Sequence, residues 1–351
     1  MIEVDGSFGE GGGQVLRTAV ALAAVLSKEI HVFNIRVGRA EPGIRPQHMT
    51  GVKAANELCS GNLEGLKVGS REFTFKPGKL RVGSHRFDVG TAGSVTLVLQ
   101  TLMPILAFAP GAIQLEITGG TDVKWSPPID YLRLVALPIL KKIGYQGDLE
   151  TVQRGHYPKG GGLVRFSTKG PSTLQPLIDE KPGSISKVYG ISHAVALPRH
   201  VAERQATAAK RILEEAKLPS PSLDIEITGD GRQLGPGSGI VLSAETQNKS
   251  ILGSDALGER GRPAEEVGST AGKILVEEVE SRAMLDRHMG DIIVPYLALA
   301  NGTSEVSVSR VTQHTQTNVK VTEWFTGTRF DLEGEIDHPG KVRVRGIGST
   351  F

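Results

Sequence analysis

Apolar and polar positions along the chain change period in a recurring order. Near the N-terminus Ile2–Val4 reads as a strand. The glycine loop Gly6–Gly13 follows, then Gln14–Leu26, where Val15, Leu16, Ala19, Val20 and Ala23 recur at helical spacing. Ile30–Ile35 reads as a strand, and the polar loop Arg36–Gln47 leads into a helix over about His48–Cys59. Leu66–Val68 and Glu72–Lys76 close the unit as strands. The order then returns: strand Arg86–Val89, glycine loop Gly90–Gly93, helix Ser94–Phe108 with a kink predicted at Pro104, and strand Ala112–Thr118. Polar loop Gly119–Ile129, helix Asp130–Ile143 and strands near Gly147–Gln153 and Gly162–Thr168 complete it. The C-terminal segment gives helix Asp286–Ala300, stopped at Asn301–Gly302, strand Glu305–Ser309 and loop Arg310–Gln313. A helix over about His314–Phe325 and strands Thr328–Glu335 and Gly340–Val344 follow.

Each unit reads βαβαββ or nearly so, which sets the class as α/β (α+β) with three repeats, about 1–80, 81–180 and 276–351. Residues 181–275 break the order. Lys187–Leu197, Leu223–Thr228 and Gly239–Ala244 read as strands, and His200–Lys217 and Pro263–Glu280 as helices. This segment is expected to be a small α+β domain inserted into a core formed by 1–180 and 276–351.

Composition narrows the function classes. Forty Lys and Arg against 38 Asp and Glu leave a net charge of +2, which excludes a polycation but not a local basic pocket. A single cysteine, Cys59, excludes an internal disulfide framework and a cysteine-based zinc site. The start of the chain lacks signal-peptide features and no apolar run approaches membrane-spanning length, so a cytoplasmic location away from membranes is expected. The composition is compatible with a monomer or a homodimer. Glycine, at 44 residues, is in excess and collects in the loops ahead of helices.

The loop before each second helix carries the reactive side chains, and a helix N-terminus with free N–H groups suits phosphate. The first unit offers Arg36, Arg39, Arg45, Gln47 and His48; the second Thr121, Asp122, Lys124 and Asp130; the third Arg310, Thr312, His314 and Thr317. Arginine forks match phosphate oxygens. The loop GSFGEGGG lacks the ending of a Walker A motif. Glu10 within it is either a solvated residue or a carboxylate that a cation joins to phosphate. His314, at a helix start, would be kept neutral by the helix dipole, as a nucleophilic histidine requires.

With these residues in view, the chain resembles the RNA 3′-terminal phosphate cyclase family along nearly its whole length. The matching motifs, in order, are GEGGGQVLR (Gly9–Arg17), RVGRAEPGIRPQH (Arg36–His48), GTAGSVTLVLQT (Gly90–Thr101), GGTDVKWSPP (Gly119–Pro128), HYPKGGG (His156–Gly162), the helix around His288–Asp291, and HTQTN (His314–Asn318). The resemblance implies three repeats similar to the C-terminal domain of translation initiation factor three. It also implies an ATP-dependent enzyme, with RNA 3′-phosphate ends and ATP as partners, that makes 2′,3′-cyclic phosphodiesters. In that scheme His314 takes AMP from ATP and passes it to the RNA end, whose 2′-OH then expels AMP. Glu10 would hold Mg²⁺ or Mn²⁺, while Arg17, Arg36, Arg39, Gln47 and His48 would bind phosphates. Gln100, Pro127, Tyr131, His288, Met289, Gly290, Asp291 and Ile292 would surround the adenosine. His288 stands where many members carry tyrosine. The alternative is a non-catalytic, cyclase-like RNA-processing protein, a branch that lacks the nucleophilic histidine.

Overall fold

The computed structural model describes residues 1–179, 182–229 and 235–349. In the first unit β1 (Ile2–Asp5) feeds α1 (Gly13–Val25), β2 (Ile30–Phe33), α2 (Pro46–Leu58), β3 (Asn62–Glu64) and β4 (Phe73–Lys76). The sheet order is β1-β2-β4-β3, with β1 parallel to β2 and the other pairs antiparallel. The strand expected at Leu66–Val68 lies earlier, as β3. Gly65, at φ 77°, turns the chain out of the sheet before Leu66.

The second unit repeats this with β5 (Gly83–Asp88), α3 (Val95–Leu106), β6 (Ile113–Gly119), α4 (Ile129–Tyr131), α5 (Leu137–Lys142), β7 (Asp148–Gln153) and β8 (Gly162–Thr168), in sheet order β5-β6-β8-β7. Along β6, Ile113, Leu115 and Ile117 face inward while Gln114 and Glu116 face out. Helix α3 runs through Pro104 to Leu106, so the proline does not end it. The second long helix is not regular. A π-helical turn, Leu132–Ala136, separates α4 from α5 just ahead of Pro138, which cannot donate its missing N–H.

The next segment forms a separate sheet, ordered β10-β9-β11-β12. Its elements are β9 (Ile185–Val195), α6 (Arg199–Glu215), β10 (Ser222–Thr228), β11 (Gly237–Thr246), β12 (Ile251–Leu257) and α7 (Ala264–Glu280). Strand β12 went unread in the sequence because Gly253, Ser254 and Asp255 interrupt its apolar pattern. The expected boundary at 180/181 lies outside the described residues. At the other end α7 continues past Leu275, and Val276 and Val279 pack on this segment's own core with Leu213 and Leu242.

The last part holds α8 (Arg287–Ile292), α9 (Val294–Leu299), β13 (Thr303–Val308), α10 (Gln313–Thr326), β14 (Phe330–Glu333) and β15 (Gly340–Arg345). One helix was expected over 286–300; two form, broken at Ile293 two residues before Pro295. The sheet is β13-β15-β14, which matches the earlier sheets without their first strand. That place beside β13 is filled by two pieces. Ile178 bridges Glu305 and Leu285 bridges Val308, both parallel. The segment 182–280 lies in the chain between these two bridging residues.

One large core joins the first, second and last units, with α1 packed on α3 and α10; the inserted segment has its own smaller core. The two bodies meet at Arg154, which is buried. Its guanidinium donates to Glu226 on β10 through two nitrogens (2.7 and 2.8 Å), to Asp130 (2.6 Å) and to Asp122 (3.3 Å). No described helix is long and apolar enough to cross a membrane.

Candidate active site

Helix α10 begins with a reciprocal cap. Thr312 Oγ1 accepts from the Thr315 N–H (2.9 Å), and Thr315 Oγ1 accepts from the Thr312 N–H (3.1 Å). Both hydroxyls donate to one oxygen of Asp291, at 2.5 and 2.7 Å. A turn later Asn318 Nδ2 donates to the Asp291 carbonyl (2.7 Å), while its Oδ1 accepts from Gln14 and Thr18 on α1 (both 2.7 Å). Helices α8, α10 and α1 are thus fixed to one another where His314 projects. Burial raises the Asp291 carboxyl to about 7, against the two hydroxyl donors.

His314 is the second residue of α10, between the capping threonines. Its side chain is 41 % exposed, and Nδ1 is the enclosed nitrogen, 3.7 Å from Glu10 Oε2 and without a hydrogen-bond partner. Nε2 is therefore the nitrogen left to the open side. Burial holds the imidazole below its ordinary value; Glu10 opposes the shift, and Arg17 and Arg39 add to it. The dipole at the start of α10 acts in the same direction as the arginines.

The glycine loop brings these groups together. Arg39 Nη2 donates to the Glu10 carbonyl (3.0 Å) and lies 3.5 Å from its carboxylate. A Cβ on Gly9 would strike Thr317 Oγ1, and one on Gly13 would strike His48 Nε2 and lie 3.0 Å from Arg17 Nη1. Gly13→Ala is expected to destabilise the chain by about 1–3 kcal/mol through this overlap. A urea unfolding midpoint measures the effect.

His48 sits in the first turn of α2, its Nδ1 accepting from the Arg45 N–H (3.4 Å). Burial, with Arg17, Arg36 and Arg45 close by, pushes it down to about 3. The ring is therefore neutral, and with Nδ1 accepting, Nε2 carries the proton as a donor. Arg17, Gln47 and His48 share a small cleft walled by Leu97 and Thr101. Gln47 Oε1 accepts from the Ser94 N–H (3.1 Å), tying α2 to the second unit's glycine loop. Arg36, at φ 55°, is held below the usual guanidinium range by burial and by Arg39 and Arg45; Arg45 pairs with Glu41 at 2.6 Å. Arg17 is lowered by burial to about 10 and stays charged at neutral pH. The arginines outnumber the carboxylates here, which suits an anionic ligand. Glu10 faces His314, and among the described residues its carboxylate makes one hydrogen bond, the long one to Arg39, so it is free to join a cation to phosphate oxygens.

A second group lies beside α8. The edge of the Tyr131 ring meets His288 (centroids 5.4 Å apart, 80°), and the Tyr131 hydroxyl donates to Asp286 (2.6 Å). Asp286 caps α8 by accepting from the N–H groups of His288 and Met289 (both 2.9 Å), and its other oxygen accepts from Gly253 of β12 (2.8 Å). His288 Nε2 is 3.8 Å from Asp255 of β12. The inserted segment thus reaches this group. Tyr131 and Met289 are fully buried, so neither presents a face to an open cleft in this conformation. Gly290 is buried against Val308, Ile292 is half-buried, and the Pro127 carbonyl accepts from Thr96 (2.8 Å). Gln100 is partly exposed on α3, and among the described residues no hydrogen bond ties it to either group. Asp291, expected beside adenosine, is engaged with the α10 cap. Asp286, Thr315 and Asn318 went unassigned from sequence. Asp286 ahead of a helical run and the T-x-x-T spacing of 312–315 were the available signals.

A family model described as RNA 3′-terminal phosphate cyclase matches residues 8–332. Three relatives bearing that same name are similar across the chain. One from Ignicoccus hospitalis is 48% identical over 350 residues, 99% of each chain. One from Pyrococcus furiosus is 49% identical over 345 residues, 98% of each. One from Thermococcus onnurineus is 50% identical over 346 residues, 99% of each. The glycine loop, the arginine cluster and the His314 helix start all lie inside the matched span, and the chain belongs to the RNA 3′-terminal phosphate cyclase family.

Proposed function

We propose that this chain converts an RNA 3′-terminal phosphate to a 2′,3′-cyclic phosphodiester through a covalent histidine–AMP. Family membership supports the coarser statement, an RNA cyclase of ligase type with ATP as co-substrate. The observation that carries the finer one is His314. It is a neutral imidazole whose enclosed nitrogen faces Glu10, and Arg17 and Arg39 act on it from nearby.

In the first step Nε2 of His314 forms a bond to the α-phosphorus of ATP as the bond to pyrophosphate breaks. The proton stays on Nδ1, where Glu10 offsets the positive charge that develops on the ring. Arg17, Arg36 and Arg39 neutralise oxygens of the phosphates, and His48 donates from Nε2. An oxygen of the RNA 3′-phosphate then takes the AMP phosphorus, and the imidazole is released. Last, the 2′-OH attacks the activated 3′-phosphorus, loses its proton and expels AMP. That step is intramolecular, so it gains from high effective molarity. Adenylation is what makes it feasible, because AMP leaves far more readily than a phosphate oxygen. Glu10 would hold Mg²⁺ or Mn²⁺, which when bound offsets the triphosphate charge. We read Tyr131, His288 and the start of α8 as the adenosine side. We also read the chain as three related units interrupted by the inserted segment. Because His314 is present, the non-catalytic alternative is not favoured.

ATP labelled at the α-phosphate tests the reading. After incubation with a divalent ion and denaturation, label is expected on the protein, labile to acid and stable to base. Absence of protein-bound label would sink the mechanism. Glu10→Ala is expected to raise the Mg²⁺ or Mn²⁺ concentration needed for labelling; an unchanged metal titration would remove Glu10 from that role. The depressed His314 fixes a pH sign as well. Labelling should persist as pH falls through the ordinary imidazole range near about 6.5 and fail only below it.

A further inference from the structure

The mechanism leaves one buried cluster unused, at the joint between the second unit and the inserted segment. His156 comes from the loop between β7 and β8, Asp122 from the loop ahead of α4, and His193 from β9. All three are at most 5 % exposed. The two imidazoles face each other with Nε2 atoms 3.1 Å apart, and Asp122 Oδ1 lies 4.0 Å from His193 Nε2. The other Asp122 oxygen is held by the Thr121 hydroxyl (2.6 Å) and by Arg154 (3.3 Å), whose Nη1 also reaches Oδ1 at 3.5 Å. The donor atoms of all three lie within 4.8 Å of one another.

We infer that Asp122, His156 and His193 bind a divalent transition ion of the zinc type, which joins the inserted segment to the core. Three observations support this. First, the donor set of two imidazoles and a carboxylate suits zinc and its neighbours rather than magnesium. Second, two imidazole nitrogens on one tetrahedral ion at about 2.0–2.1 Å lie roughly 3.3–3.4 Å apart, close to the separation here. The carboxylate oxygen needs to close on His193 by roughly 0.6 Å from its 4.0 Å separation to complete the set. Third, the joint is short of positive charge. Among the described residues, Asp122, Asp130 and Glu226 have Arg154 as their cationic partner, and Arg133 pairs with Asp130 at 2.7 Å. A divalent ion would take the lone pairs of both imidazoles and supply that charge. Among the described residues none of the three side chains makes a hydrogen bond or ion pair with His314 or Glu10, and the inference stands whether or not the histidine–AMP scheme does.

The test uses untagged full-length chain, stripped with a chelator and titrated with Co²⁺ and Zn²⁺. The expected result is one equivalent of Co²⁺ with ligand-field bands of tetrahedral strength, displaced by Zn²⁺. The bands should disappear in His156→Gln and His193→Gln and persist in Glu10→Ala. X-ray absorption on the zinc-loaded wild-type and Glu10→Ala chains should find two imidazole nitrogens at the metal, which keeps the test open if a histidine variant fails to fold. Loss of the bands in Glu10→Ala with retention in His193→Gln would assign the metal elsewhere and overturn the inference. So would a wild-type chain that takes up no Co²⁺, leaving a pair of rings that share only a proton.

Discussion

Replacing His314 with alanine is expected to remove all AMP label from the protein and to slow cyclisation by roughly three orders of magnitude or more. The fold should survive. The side chain is partly exposed, its Nδ1 has no hydrogen-bond partner, and the cap of α10 is made by Thr312, Thr315 and Asp291. Stability should therefore shift by no more than about 0.5 kcal/mol. ATP binding should also survive, because in the proposed scheme the phosphate contacts are made by arginines on other elements. The decisive measurement is the pair of readings on one preparation: labelled protein at zero, unfolding midpoint unchanged. A variant that still takes label would move the nucleophile to another residue.

Arg154→Met is expected to produce the largest loss of stability, about 3–5 kcal/mol. The substitution keeps most of the volume but leaves Asp122 and Asp130, both fully buried, without their shared guanidinium. It also cuts the two hydrogen bonds to Glu226, so the inserted segment loses one of its anchors on the core. Urea unfolding should show a lower midpoint. Limited proteolysis should cut first in the chain segments that join the two bodies. A midpoint within about 1 kcal/mol of wild type would mean that the joint is held by apolar packing instead. Mutating an exposed pair such as Arg199 and Glu203 should change little, since solvent screens it.

Much of the fold was legible in the sequence where local pattern and packing agree. In β6 the alternation of Ile113, Leu115 and Ile117 with polar residues is the alternation seen in the sheet. The glycine run ahead of α1 marked a close approach, and the residues it admits include His48 and Arg17. Proline effects were harder to place. Pro138 gave a π-helical turn and Pro295 a break, while α3 passed through Pro104. Neighbouring packing decides whether a helix tolerates the lost hydrogen bond. At the site, His314, Glu10, Arg39 and His48 were legible as residue types in glycine-rich or helix-start contexts. The support beneath them was not. The role of Asp291 in holding the α10 cap depends on a contact between residues 21 apart in the chain.

By itself the sequence determined most of the element order, the periodic core positions and which residue types could handle phosphate. Those follow from local periodicity, glycine placement and charge. Only the tertiary structure decided which of them meet. Nothing local says that Ile178 and Leu285, on either side of the inserted segment, flank β13 as the missing first strand. Nor does it say that His156 and His193 face each other across the joint. These pairings are long-range. They are set by which buried faces and charges find partners once the units have packed, and that free energy is not written in any single window of the chain.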